Sequence, residues 1–163
     1  MSTLIRDNAA ATDDFVALAD DQPLPASGKI IVPLARWLEL DRTAVTATVG
    51  VSVPNTVDID AVWPALAGRP LIELNFPAFG DGRAYSQARV LRDRCGYAGE
   101  LRARGAAVVV DQAAQLARCG FNAYVLRADQ NAEAFLARLQ RTAGTAWYQH
   151  PSQRPLPASA RQA

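Results

Sequence analysis

From Leu71 to Phe76 apolar and polar positions alternate, with Ile72, Leu74 and Phe76 separated by Glu73 and Asn75. Successive strand side chains point to opposite faces, so this spacing predicts a strand with one apolar and one polar side. Gly99–Arg104 repeats the pattern: Leu101 and Ala103 share one face, Glu100, Arg102 and Arg104 the other. Lys29–Leu34 is a short apolar run, Val45–Val53 reads as a strand ended by Pro54-Asn55, and Asn122–Leu126 reads as a further strand. Helical patterns lie between them. Asp58 is placed to cap a helix running toward Leu66, which Pro64 is expected to restrict to little more than a first turn. Pro77 and Gly80-Asp81-Gly82 predict a turn. Arg83–Cys95 then reads as a helix closed by Gly96, with Tyr85, Ala88, Leu91 and Cys95 on one stripe. A helix from about Val108 to Cys119 ends at Gly120. The last begins near Asn131, where Ala132, Phe135, Leu136 and Leu139 fall at i, i+3, i+4 and i+7 and form a core-facing stripe.

Strand and helix alternate, which predicts an α/β fold with a mostly parallel sheet and right-handed crossovers. A doubly wound sheet is covered by helices on both sides and wants apolar strands throughout. The polar face of the two central strands fits an open or partial-barrel-like sheet instead, with helices on the outer face alone. Its concave face needs a cover, and a second copy of the chain, making a homodimer, is the expected one. Residues 1–27, with the stretches DDF, DDQ and PLP, read as a flexible N-terminal arm, with ordered structure beginning at Lys29. Residues 28–150 then form a single α/β domain, and residues 151–163 a disordered tail.

At 163 residues, half of them hydrophobic and a fifth charged, the chain is long enough for one domain with a real core and too short for two ordinary ones. A net charge of +1 argues against a nucleic-acid partner. Sixteen of the seventeen basic residues are arginine, and Lys29 is the one lysine, so ionic contacts rest on forked guanidinium donors. No apolar run approaches the roughly 20 residues a bilayer requires, and MSTLIRDNAAATDD lacks the layout of a signal peptide, so no membrane association and a cytoplasmic location are expected. Cys95 and Cys119 make neither a CxxC pair nor a disulfide framework and read as small hydrophobes before Gly96 and Gly120. His150 is the sole histidine, which excludes a histidine-based triad or zinc site. The chain has no GxxxxGK[ST] loop, and GDGRAY carries Tyr85 where a dinucleotide fingerprint needs its third glycine. Neither a cofactor nor a metal is expected.

Ligands of parallel sheets bind beyond the carboxyl ends of the strands. Those ends bring forward Asn55, then Asn75, Asp81, Arg83, Tyr85 and Ser86, then Arg102, Arg104 and Asp111, and finally Arg127 and Asp129. One reading is a site for a small anion, built from Asn75, Gly80, Asp81, Gly82, Arg83, Tyr85, Ser86, Arg102 and Arg104. Gly80 and Gly82 would allow close backbone approach, and the helix start at Arg83 would supply free N–H groups. The other reading makes Asp81 a helix cap and pairs Arg83 with a carboxylate such as Glu100 or Glu73. A general acid or base, if the protein is an enzyme, has to be Asp81, Tyr85, Glu100 or Asp111.

The run Phe76-Pro77-x-Phe79-x-Asp81-Gly82-Arg83-x-Tyr85-Ser86, then Ala88-Arg89-x-Leu91-Arg92, Gly96-Tyr97-x-Gly99-Glu100-Leu101-Arg102-Ala103, Asp111-Gln112 and Arg118-Cys119-Gly120-Phe121, resembles the bacterial domain-of-unknown-function family 934. The chain departs from that pattern at Ala84, where glycine is usual, and at Ala106-Ala107, where an acidic residue often follows the glycine. Members of the family carry the label of oxidoreductases involved in sulfite reduction, because their genes lie beside those of assimilatory sulfite and sulfate reduction. The resemblance therefore implies a role in sulfur metabolism, with a sulfite reductase or another sulfur-assimilation protein as partner. Catalysis of sulfite reduction itself needs a sirohaem and an iron–sulfur cluster, and ligation by about four thiolates is more than two separated cysteines supply. An accessory role is the expectation. A small enzyme acting on an anionic substrate, or a dimeric interaction module, are the alternatives.

Overall fold

The structure, a computed structural model, describes residues 3–142; His150 and the expected tail at 151–163 lie outside them. Eight strands form one sheet: β1 (Leu4–Arg6), β2 (Ala9–Ala11), β3 (Phe15–Ala17), β4 (Lys29–Pro33), β5 (Thr48–Val53), β6 (Leu71–Phe76), β7 (Glu100–Gly105) and β8 (Ala123–Val125). In space the order is β2-β1-β8-β7-β6-β5-β4-β3. Strands β3 through β8 are therefore consecutive neighbours and all parallel, while β1 adds antiparallel to β8 and β2 antiparallel to β1. This is the expected α/β architecture, a curled open sheet of half-barrel form.

Period-two alternation sorts the strands onto two faces. Val49, Val51 and Val53 of β5, Ile72, Leu74 and Phe76 of β6, Leu101 and Ala103 of β7 and Tyr124 of β8 enter one core with the helices. Four short helices, α1 (Leu34–Glu39), α2 (Ile59–Leu66), α3 (Arg83–Arg89) and α4 (Ala113–Arg118), and the longer α5 (Ala132–Thr142), supply its other side. From α5 come Phe135 and Leu139, with Ala132 and Leu136 packed alongside, as the stripe requires. Helix α1 escapes the sequence pattern because it spans six residues; Leu34 and Trp37 alone mark its buried side. Trp37 donates from Nε1 to the Ala65 carbonyl at 2.8 Å and lies under the Arg69 guanidinium at 4.8 Å from the ring centroid.

Three expectations about helices need correction. Asp58 does cap α2, accepting from the Asp60 N–H at 3.1 Å, but the helix continues past Pro64 to Leu66. Proline removes one intrahelical bond, and burial of Ala65 and Leu66 immediately after it holds the last turn. The α3 helix occupies the expected span up to Gly96, yet its second half, Val90–Arg94, is a π-helical turn, with the Cys95 N–H bonded to the Val90 carbonyl at 3.0 Å. The wide turn seats Arg92 in the interior, where Nε reaches the Gly120 carbonyl at 2.9 Å and Nη2 the Asn122 side chain at 3.0 Å. Finally, the helix expected from Val108 starts only at Ala113, after a 3-10 turn at Val110–Gln112. Val108 to Val110 is a run of β-branched residues, which resists helix and here packs as a buried connection.

The largest correction concerns the N-terminus. Residues expected as a loose arm supply three strands. Asp7 and Asn8 both take positive φ, 49° and 64°, the conformation of a two-residue hairpin turn, and join β1 to β2. Ile5 enters the main core, while Leu4 packs with Ala123, Val125 and Ala11 on the opposite face. Only Thr12, Asp13 and Asp14 then separate β2, at one edge of the sheet, from β3 at the other. Eight strands laid flat would put those edges about 34 Å apart at ~4.8 Å per strand, and four residue steps reach at most about 14 Å. The sheet must curl until its edges approach, and the link runs across the open side. The concave face thus receives its cover from within the chain.

Gly105 closes β7 with φ 115°, and a Cβ there would lie 2.2 Å from the Phe76 carbonyl oxygen. Gly28, at φ 100°, has open space around it. Gly28→Ala is expected to cost about 1 kcal/mol from backbone strain alone, and Gly105→Ala about 3 kcal/mol or more because strain and overlap add. Denaturant unfolding of the two variants, side by side, checks the order.

Candidate functional site

The inner face of the curl carries the alternate residues of the same strands, and register decides who meets whom. Ser52 of β5 pairs with Glu73 of β6 and Glu73 with Arg102 of β7, while Asn75 pairs with Arg104. Toward the carboxyl ends of the strands, Arg104 donates from Nε to Glu73 Oε2 at 2.8 Å and Ser52 donates to Glu73 Oε1 at 3.2 Å. Asn75 Nδ2 donates to the Ser52 hydroxyl at 2.7 Å and to the Val53 carbonyl at 3.3 Å. Glu73 is buried with both carboxylate oxygens engaged, whereas Arg104 is 37 % exposed.

Deeper in the curl a second group surrounds Arg102, whose side chain is 0 % exposed. Its Nε donates to Glu100 Oε1 at 2.9 Å and its Nη1 to Asp13 Oδ2 at 2.9 Å. Burial alone would make the guanidinium less basic; the two carboxylates outweigh it and hold its pKa above the ordinary value. Arg6 reaches Glu100 Oε2 at 3.4 Å and Asp14 Oδ1 at 3.8 Å, and Lys29 bonds the other oxygen of Asp14. Strands β1 and β4 are five places apart in the sheet, so their meeting on Asp14 is a direct mark of the curl. Phe15 lies between the Lys29 ammonium, 5.7 Å from its ring centroid, and the Arg102 guanidinium, at 5.8 Å. A cavity of about 270 Å³ opens beside this group, lined by Arg6, Asp7, Phe15, Lys29, Thr48, Pro70, Glu100 and Asn122.

The GDGR loop forms a third, separate unit. Arg83 grips Asp81 with two bonds, Nε to Oδ1 at 3.0 Å and Nη2 to Oδ2 at 2.6 Å, and the Arg83 N–H adds a weaker one at 3.3 Å. So Asp81 supports the helix start as one reading expected, but the partner of Arg83 is Asp81 and not Glu100 or Glu73. The Arg83 guanidinium, with help from the Asn55 amide, holds the Asp81 carboxyl well below the usual carboxylate range. Asn55 is buried with its Nδ2 facing that carboxylate and closing no hydrogen bond of ordinary geometry. Gly80 and Gly82 are exposed, and neither takes a positive φ.

Of the residues singled out from the sequence, then, the fold unites Asn75 with Arg104, Glu100 with Arg102, and Asp81 with Arg83. Tyr85 stands apart: its ring meets Phe76 edge-on at 4.9 Å, its hydroxyl donates to Gln112 at 3.2 Å, and burial pushes its pKa up to about 12. Ser86 and Asp111 are exposed on the helical side, and Arg127 pairs with Asp129 at the surface. Sequence reasoning missed Arg6, Asp13, Asp14, Phe15 and Lys29. Their signal was present as the DDF run and the lone lysine, but composition alone assigned both to the arm and its boundary. Both cysteines have thiols pushed up chiefly by burial, Cys119 the more deeply seated. Among the described residues no three His, Cys, Asp or Glu side chains group to hold a metal ion.

Fold and site together define a class: a half-barrel α/β protein whose inner face is a lattice of mutually paired charges. The chain belongs to the family described as bacterial protein of unknown function (DUF934), whose model matches residues 50–159. Glu73, Glu100, Arg102 and Arg104 fall within that match; Arg6, Asp13, Asp14 and Lys29 precede it. No curated protein and no solved structure matches the chain.

Removing Arg102 leaves Glu100 and Asp13 without their shared cation in a dry setting. Arg102→Ala is expected to lose about 3 kcal/mol of stability, whereas Arg83→Ala, at an exposed local pair, leaves the melting temperature unchanged. Thermal and denaturant unfolding of both variants checks the contrast.

Proposed function

We propose that this protein serves assimilatory sulfite or sulfate reduction as a non-catalytic accessory component that works by contact with a sulfite reductase or another protein of that route. The sulfur context comes from the label its family carries. The accessory part rests on one observation: the ionisable side chains of the inner face, Glu73 with Arg104 and Glu100 with Arg102, Arg6 and Asp13, are engaged with one another. A general acid or base has to be able to exchange its proton with a substrate, and a carboxylate locked between guanidinium groups is poorly suited to that. The anion reading of the GDGR loop loses its cation in the same way, since Asp81 already occupies the Arg83 fork.

What the loop does offer is a contact surface. Phe79 is 57 % exposed one turn from Arg83, which is itself open to solvent. An exposed aromatic beside an arginine is a combination enriched at protein interfaces. A strain lacking the gene is expected to fail on sulfate or sulfite as sole sulfur source and to recover when cysteine is supplied. The Phe79→Ala/Arg83→Ala double variant, present at the normal level, is expected not to restore growth on sulfate. Normal growth of the deletion strain on sulfate removes the proposal.

A further inference from the structure

The cavity beside Arg102 is lined by cations that the protein answers with its own link residues. Arg6, Lys29 and Arg102 converge there from β1, β4 and β7, three elements far apart in the sheet order. Facing them from the sheet is Glu100, and Asp7 stands at the rim with its carboxylate accepting from Asn122 Nδ2 at 2.9 Å. The remaining negative charge comes from Asp13 and Asp14, which belong to the three-residue link and not to any strand. Without them the group carries a surplus of positive charge around a space of about 270 Å³.

How firmly the link is held matters here. On one side it is anchored by β2, whose three alanines pair with β1 alone and bury little. On the other it continues into β3, an edge strand of three residues with Val16 61 % exposed. Segments with few buried apolar contacts open at a small fraction of the global unfolding cost. Meanwhile Arg102 is fully buried, and its Nη2, 2.8 Å from Glu100 Oε1, makes no hydrogen bond of usable angle. A forked guanidinium with a spare N–H, next to an aromatic ring and two further cations, is a receptor for an oxyanion.

We propose that this pocket is a binding site for a small oxyanion, and that Asp13 and Asp14 are its built-in occupants, displaced when the external anion binds. The site stands whether or not the protein serves sulfur assimilation. Inorganic sulfate is the probe, with chloride at matched ionic strength as the control for screening. Because the resting link competes, the apparent affinity of the unaltered protein is lowered by the fraction of molecules in which the link is open.

Two measurements test this. In calorimetric titration, the Asp13→Asn/Asp14→Asn variant is expected to bind sulfate about tenfold more tightly than the unaltered chain, since the competitor has lost its charge. Adding Lys29→Gln to that variant is expected to weaken binding again by about tenfold; Lys29 is half exposed, so the change does not threaten the fold. In the unaltered chain, sulfate but not chloride is expected to speed backbone hydrogen exchange across residues 9–17. The second measurement stands even if the double variant fails to fold. Sulfate binding by the folded variant no stronger than chloride, or exchange across residues 9–17 that sulfate leaves unchanged, overturns the proposal.

Discussion

Three residues cannot cross a flat eight-stranded sheet, and most of the architecture follows from that. Because Thr12, Asp13 and Asp14 join the two edge strands, the sheet is obliged to curl. Curling hides the inner face from water, and once hidden that face can no longer carry isolated charge. The pairing of Glu73 with Arg104, and of Arg102 with Glu100 and Asp13, is then a requirement and not an ornament. The link that forces the curl also supplies part of the neutralising charge, so geometry and electrostatics are met by the same short piece of chain.

Buried ion pairs of this sort add little net stability relative to a well-packed apolar core, because desolvation offsets most of the attraction. Their value here is in alignment. Slipping β7 by one residue would send Glu100, Arg102 and Arg104 into the helical core and Leu101 and Ala103 into the ionic face. The same holds for β6, where Glu73 and Asn75 alternate with Ile72, Leu74 and Phe76. Arg92 performs a comparable service on the outer side, tying the end of α4 and the start of β8 to the π turn of α3 through Gly120 and Asn122.

The central strands were legible because their chemistry and their period agree: Leu71–Phe76 and the Glu100–Arg104 run announce both a strand and its two faces. Turns closed by glycine were legible for the same reason, Gly96 taking φ 65° where a helix end was expected. Short elements were not. Helix α1 offers two buried positions, and β1 to β3 offer three residues each, too few for any periodicity to stand out. Acidic residues near the start of the chain resemble a solvated arm until one knows that Arg102 and Lys29 await them. The candidate site was half legible: polar residues on β6 and β7 were identified, while their partners came from a segment whose role depends on tertiary closure. Pro64 misled because a local rule about helices was overruled by burial of the two residues that follow it.

The antiparallel pairing of β1 with β8 also sets an order of events. Leu4–Arg6 leaves the ribosome first, yet its partner Ala123–Val125 is made only after every other strand of the sheet has emerged. The parallel strands β4 to β8 can assemble neighbour by neighbour as they appear, since each follows the last in both sequence and space. The first segment has no seat until that assembly is nearly complete, and contacts so distant in sequence are slow to form. During that interval the nascent chain exposes Ile5, Leu4 and an unpaired β8 edge, the sort of surface that chaperones bind. Synthesis of this protein is thus a race between the closing of its sheet and the capture of its opening residues.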